Sequence, residues 1–200
     1  MPRDTLAELS DDALLVLYAN GDPEAARLLA ARLAPRLMAY GMRLLGDRAE
    51  AEDVAQEAML RLWKQAPDWR QGEAQVSTWL FRVASNLATD RLRQRKRRKA
   101  EPLKHGDEEG IDPPDTSPGA MAQLMQADRM AALQLALDSL PDRQRQAVVL
   151  RHIEGFTNPE IAEVMGIGVE AVESLTARGK RALTAALEGR REELGYGDED

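Results

Sequence analysis

The 200-residue chain has no cysteine and only two histidines, His105 and His152, far apart in sequence. Disulfides and a His/Cys zinc site are therefore excluded, and thiol chemistry with them. Aromatic residues make up 4% of the chain. Ala, Leu, Arg and Glu dominate instead, a composition that favours helices through a low side-chain entropy cost and leaves little material for a sheet. No apolar run approaches the length of a bilayer span, and the opening MPRDTLAELSDD lacks the basic-then-apolar order of a signal peptide. The reading is an all-α, cytoplasmic protein that does not insert into a membrane. No nucleophile and base pair, phosphate-cradling loop or metal-ligand cluster is visible, so neither a cofactor nor catalysis by this chain alone is expected.

An excess of positive charge is also missing. The net charge of −7 argues, taken alone, against a nucleic-acid ligand, because phosphate neutralisation needs Lys and Arg. The average hides a segregation. Residues 1–100 hold 17 basic and 14 acidic side chains, residues 101–128 hold one against seven, and residues 129–200 hold nine against 13. The basic maximum is RLRQRKRRK, Arg91 to Lys99, in which seven of nine residues are basic.

Helix signals run the length of the chain. Ser10, Asp11 and Asp12 offer N-caps for a short first helix that Asn20-Gly21 stops. Asp22 caps a second helix with Pro23 at its first position, and Pro35 is predicted to break or kink it. A further segment passes through Leu37, Met38, Leu44 and Leu45 to Gly46. A third helix, about Ala49 to Gln65, buries Ala51, Val54, Ala55, Ala58 and Leu62 and leaves Asp53, Gln56, Glu57 and Leu60 on a neighbouring face. After the loop from Ala66 to Ser77, Ser77 or Thr78 caps a helix with Leu80, Val83, Ala84, Leu87 and Leu92 inward. Glu101 to Gly119 is acidic, rich in Pro and Gly and without periodicity, the composition of a solvated linker. Beyond it, helical spacing resumes up to Pro141. A helix from Asp142 to about Ile153 follows, with Ala147, Val148, Leu150 and Ile153 as its apolar side. Two short helices joined by MGIG then form a helix-turn-helix pattern, the first capped by Asn158 or by Thr157 reciprocally with Glu160.

Three constellations carry chemistry, and each has a plain structural alternative. The helix before the basic run displays Trp79, Arg82, Asn86 and Arg93 at helical steps, with Trp69 and Arg70 in the preceding loop. Flat rings to stack unpaired bases, an amide for a base edge and cations for phosphates suit single-stranded DNA; core packing of Trp79 is the alternative. Asp53, Gln56 and Glu57 form either a solvated helix side or an acidic face for Arg on a partner helix. In the last helix, Val169, Val172, Thr176, Gly179 and Leu183 make a packing stripe, with Leu175 at its margin. Glu170, Glu173, Ser174, Ala177, Arg178 and Arg181 face the other way. The two glutamates either complement the helix dipole or accept from cytosine N4 in the major groove.

The order of parts resembles the extracytoplasmic-function sigma factors, two-domain members of the sigma-70 class of bacterial transcription initiation factors. The resemblance rests on ANGDPEAARLLAARLAPRL, GDRAEAEDVAQEAMLRLW, STWLFRVASNLATDRLRQRKRR and LPDRQRQAVVLRHIEGFTNPEIAEVMGIGVEAVESL, in series across an acidic linker. It implies two small helical domains: region 2 over residues 10–100 and a region 4 helix-turn-helix over 125–190, joined by a flexible acidic linker over 101–124. It further implies that Asp53, Gln56, Glu57 and Leu60 dock on the β′ clamp helices of core RNA polymerase, with region 4 reaching the β flap. Trp69, Arg70, Trp79, Arg82 and Asn86 would capture and melt the promoter minus-10 element, with Arg91, Arg93 and Arg95 on promoter phosphates. Glu170, Glu173, Ser174, Ala177, Arg178 and Arg181 would face the minus-35 element. An anti-sigma factor is implied as regulator. Two positions depart from the family pattern, which commonly has Lys or Arg at the place of Glu173 and Arg at that of Leu175, so the minus-35 preference is individual to this chain. A sigma-like mimic that sequesters an anti-sigma factor without touching DNA is the competing reading. The linker would also let the two halves close on each other, burying both DNA faces.

Overall fold

The structure, a computed structural model, describes residues 6–70, 72, 74–98 and 129–188 in full and the backbone alone at 99–100 and 120–128. The principal elements are α1 (Asp11–Ala19), α2 (Pro23–Leu45), α3 (Arg48–Gln65), a 3-10 turn (Ala66–Asp68), α4 (Val76–Ala100), α5 (Ala120–Asp138), α6 (Asp142–His152), α7 (Asn158–Met165) and α8 (Val169–Glu188). No strand occurs among the described residues.

Several boundaries follow directly from capping chemistry. Ser10 Oγ accepts from the Ala13 amide at 3.2 Å, Asp22 Oδ1 from Glu24 at 2.9 Å and Asp47 Oδ1 from Glu50 at 2.9 Å. Each oxygen satisfies an amide that has no partner within its own helix. Gly46, at φ 64°, ends α2 in the left-handed conformation that a side chain would strain.

Four expectations need correction. Pro35 does not interrupt α2, which runs unbroken for 23 residues. Leu29, Leu33, Leu37 and Tyr40 on that helix are fully buried, whereas Pro35 is exposed on another side. An interior proline costs about 3 kcal/mol, and each buried leucine returns roughly 1.5–3 kcal/mol, so the apolar stripe prevails. Neither Ser77 nor Thr78 caps α4, which starts at Val76. The Val76 amide donates to Asp12 Oδ1 at 3.2 Å, so the cap comes from α1, 64 residues away, and Thr78 is buried. Ile153, expected on the apolar side of α6, lies just past its end and is 37% exposed, while Arg145 and Gln146 on the helix are buried. Finally, α5 begins at Ala120, inside the range expected for the linker; residues 101–119 lie outside the described residues, as do 189–190 at the end of the second expected domain.

Helices α1 to α4 form one bundle and α5 to α8 another, and the hydrophobic core is continuous between them. α7 packs along α4, while α2 meets both α5 and α6. This seam places the candidate functional faces.

Candidate nucleic-acid interface

On α3, the inward row Ala51, Val54, Ala55, Ala58, Met59 and Leu62 is buried, which turns Asp53, Gln56 and Leu60 outward and leaves Glu57 half-buried. Leu60 is 52% exposed. Asp53 Oδ2 accepts from both terminal nitrogens of Arg91 at 3.4 Å, and Glu57 accepts from Arg61, one turn along, at 2.8 Å. Both pairs are solvent-exposed, where screening limits them to about 1 kcal/mol or less. A competing guanidinium from another protein can displace them.

The loop and α4 carry the proposed base-reading groups. Arg70, Arg82 and Asn86 are exposed, whereas Trp69 and Trp79 are both half-buried against the core. Their rings meet edge to face, 5.9 Å between centroids at 87°, a preferred geometry for two aromatic quadrupoles. The core-packing alternative for Trp79 is thus met in part, and the pair fastens the loop to α4. Among the described residues, Trp69 Nε1 is enclosed without an acceptor.

The basic end of α4 is less uniform than its sequence. Arg95 Nε donates to Glu50 Oε1 at 3.1 Å, Nη2 lies 3.4 Å from Asp47, and Nη1 donates to the Leu45 carbonyl at 2.6 Å. Arg95 is therefore a clamp on the C-terminus of α2 in this arrangement, and Arg91 is held by Asp53. For either to meet phosphates, as the resemblance implies, these acidic partners have to be exchanged. Arg93 is exposed and lies 3.7 Å from Asp90. Arg97 and Arg98 are exposed with no acidic partner among the described residues, and they join Arg93 as the cations that phosphates would meet first.

In the helix-turn-helix, the Thr157 amide donates to Glu160 Oε2 at 2.7 Å, the backward half of a capping box. Val172 and Gly179 are buried and Thr176 and Leu183 half-buried, as their spacing predicts; Val169, at 38% exposure, falls outside the stripe. A Cβ at Gly179 would stand 2.5 Å from Val148 Cγ2 and 3.1 Å from the Gln144 carbonyl oxygen, so α8 and α6 touch there through a bare backbone. Glu170, Glu173, Ser174, Ala177, Arg178 and Arg181 are all exposed. Arg178 bends back to the Ser174 carbonyl at 3.2 Å.

Residues that sequence reasoning did not single out form the seam between the halves. Phe81 of α4, fully buried, meets Tyr40 at 5.2 Å and Phe156 at 5.0 Å, with the Arg36 guanidinium 5.1 Å from its ring centre. Arg36 Nε also donates to Glu154 Oε2 at 3.3 Å, and Arg43 lies 3.9 Å from the other oxygen. Arg145 Nη1 donates to the Leu44 carbonyl at 2.8 Å and to Asp138 Oδ1 at 3.1 Å. Helical periodicity carries no signal for pairs such as Phe81–Phe156, Arg36–Glu154 and Arg145–Leu44, because they join segments more than 70 residues apart. Burial pushes the Glu154 carboxyl upward, opposed by Arg36 and Arg43. Burial likewise raises Tyr40 to about 12, so it stays a neutral phenol sharing a 2.6 Å hydrogen bond with Ser85. His152 is lowered, first by burial and then by Lys180 and Arg151.

The closure is lopsided. Asn86, Arg93 and Lys96 of α4 face Asp142, Gln146 and Met165 across a cleft of about 820 Å³, while the outer face of α8 stays open to solvent. The two DNA faces expected to be buried together are not. Among the described residues, no group of three or more acidic or histidine side chains could hold a metal ion. No helix there is long and apolar enough to cross a membrane.

Residues 29–98 match the family described as Sigma-70 region 2, and residues 130–183 match Sigma-70, region 4. The ECF RNA polymerase sigma factor SigE of Mycolicibacterium smegmatis is 35% identical over 151 residues, 75% of this chain and 56% of that protein, so the match spans little more than half of that relative. The RNA polymerase sigma-H factor of Pseudomonas aeruginosa is 30% identical over 193 residues, 92% of this chain and 96% of its own. Among solved structures, the sigma factor RpoE from Bartonella quintana, crystallised with the anti-sigma factor NepR, shares the fold with a TM-score of 0.65 at 21% identity, over 81% of this chain and 96% of that one. By these matches and by its two helical bundles, the chain belongs to the extracytoplasmic-function RNA polymerase sigma factors of the sigma-70 family.

Proposed function

We propose that the chain binds core RNA polymerase through Asp53, Gln56, Glu57 and Leu60 and directs it to a specific class of promoter. Residues 10–100 act as region 2, which reads and opens the minus-10 element, and residues 125–190 act as region 4, which reads the minus-35 element. The observation that carries this reading is the placement of four groups on one rigid bundle. Exposed Arg82 and Asn86, the half-buried Trp69–Trp79 pair, the exposed cations Arg93, Arg97 and Arg98, and the acidic outer row of α3 all lie on the bundle of α1 to α4 and its Trp69 loop. A base flipped from the duplex costs a few kcal/mol, and stacking with amide contacts can return about that amount, so sequence discrimination becomes strand opening. The polymerase supplies bond formation and this chain supplies the address; it is not itself an enzyme.

Control by an anti-sigma factor follows the pattern of the RpoE complex. The exposed Glu170 and Glu173 set the minus-35 preference. Reconstitution tests the proposal: the purified chain is added to core RNA polymerase and RNA starts are mapped on genomic DNA. A stable complex with clustered starts behind a shared motif is expected. Absence of a complex, or starts indistinguishable from those of core polymerase, would overturn it in favour of a mimic.

A further inference from the structure

The corner where α6 ends carries a histidine that the proposed function leaves unused. On α6, Gln144, Val148 and His152 recur at four-residue steps, so they share one face of the helix. A Cβ at Gly179 of α8 would stand 2.5 Å from Val148 Cγ2 and 3.3 Å from Gln144 Cβ, so the first two press on that glycine. The third, one turn on, emerges beside α8 within reach of the Lys180 charge. His152 and Lys180 are both exposed. Lys180 follows Ala177 by three residues and Glu173 by seven, helical steps that set it on the edge of the row proposed to face the minus-35 duplex.

No carboxylate balances this corner among the described residues. Glu154 is turned to Arg36 and Arg43 of α2, and Glu160 of α7 accepts from the Thr157 amide at the start of its own helix. Arg151 donates one terminal nitrogen to the Phe156 carbonyl at 3.0 Å. The charges acting on His152 are therefore Lys180 from α8 and Arg151 from its own helix, both positive. Partial burial, with these two cations added to it, holds the imidazole below its ordinary value, so it is mostly neutral in the free chain near neutral pH. The C-terminus of α6 favours a cation, but it does not prevail.

A phosphate reverses that balance. It brings the negative charge that the corner lacks, and a protonated imidazole donates from both nitrogens where a neutral one donates from one. In three-helix variants of the helix-turn-helix, the corner between the first and second helices lies on the DNA backbone. The turn after His152 is that corner here, between α6 and α7.

Building on the sigma-factor reading above, we propose that His152 and Lys180 form a proton-linked phosphate grip: the chain takes up a proton at His152 when it binds duplex DNA, and the pair holds a backbone phosphate beside the bases that Glu170 and Glu173 address. The ligand is the sequence-independent backbone of the duplex. Binding strengthens as pH falls from about 8 to about 6, a range in which the glutamates of α8 stay ionised.

Calorimetric titration of the full chain with a minus-35 duplex from a mapped start, at one pH in buffers of different ionisation enthalpy, counts the protons bound. At about pH 7 an uptake of roughly half a proton is expected, with affinity rising about threefold to tenfold between about pH 8 and about pH 6. His152→Gln should abolish the uptake and flatten the pH profile with an unchanged thermal melt. His152→Lys, charged throughout this range, should also flatten the profile, and should steepen log affinity against log salt by about 0.9 relative to His152→Gln, the slope of one added phosphate contact. Lys180→Gln should make the wild-type slope shallower by about the same 0.9. A duplex of scrambled sequence should give the same uptake at weaker affinity, because the grip reads no base. Heats independent of buffer, a wild-type pH profile in His152→Gln, or no duplex binding at any pH in this range would each overturn the grip. Specific starts in any of those cases would leave the sigma-factor reading standing. Uptake on the scrambled duplex without specific starts would sink that reading and keep the grip.

Discussion

Asp53→Arg separates a docking face from a merely solvated one because the two readings differ by orders of magnitude. Among the described residues of the free chain, Asp53 has one polar partner, Arg91, at 3.4 Å, with side-chain exposures of 64% and 29% for the two residues. A pair this exposed stabilises the fold by about 1 kcal/mol at most, and a new arginine facing Arg91 can swing into water. The expected shift in melting temperature is about 2–4 °C for a chain of this size. At the polymerase interface the reversed charge would meet basic side chains with water excluded, where loss of one partner of a buried pair costs about 2–5 kcal/mol. That corresponds to roughly 30-fold to several-thousand-fold weaker binding. The assay is competition of labelled wild type from core polymerase by the variant, beside a thermal melt of the same sample. Affinity within about threefold of wild type, with the fold intact, would refute the assignment of this face.

Asn86→Ala should abolish promoter opening, read by permanganate reactivity of unpaired thymines, while polymerase affinity stays near normal, because the side chain is exposed on α4 and away from the acidic row. Gly179→Ala brings a methyl against the β-branched, buried Val148 and a backbone carbonyl; overpacking of about 1–3 kcal/mol outweighs a helix-propensity gain of roughly 1 kcal/mol, so the melting temperature should fall. Glu173→Arg should strengthen minus-35 duplex binding, steepen its salt dependence and blunt its sequence preference, measured by titration at several salt concentrations.

What could be read without coordinates was whatever one segment decides for itself. Helix starts at Ser10 and Asp22 were legible because a side-chain oxygen caps an amide two or three residues on; Asp47, which caps Glu50 in the same way, was passed over. The buried row of α3 and the outer face of α8 were legible because a 3.6-residue period sorts side chains by direction wherever an apolar stripe seeks a core. Where a distant partner decides, the reading failed. Val76 is capped by Asp12, Arg95 is drawn to α2 by Leu45, Asp47 and Glu50, and Arg145 is buried because Leu44 and Asp138 offer it oxygens. Pro35 was misjudged for the same reason, since the local cost was known but not the buried leucines that offset it.

The amino-acid sequence by itself therefore determined the helices, the two-bundle organisation and the residue types on each outward face, since these depend on local propensity, capping and periodicity. Only the tertiary structure decided how those elements meet: that Arg91 and Arg95 pair with acidic partners, and that α7 packs along α4. That choice rests on Phe81 meeting Phe156 and Arg36 meeting Glu154. Contacts between such distant segments come from the summed burial and charge of surfaces that assemble only after each helix has formed.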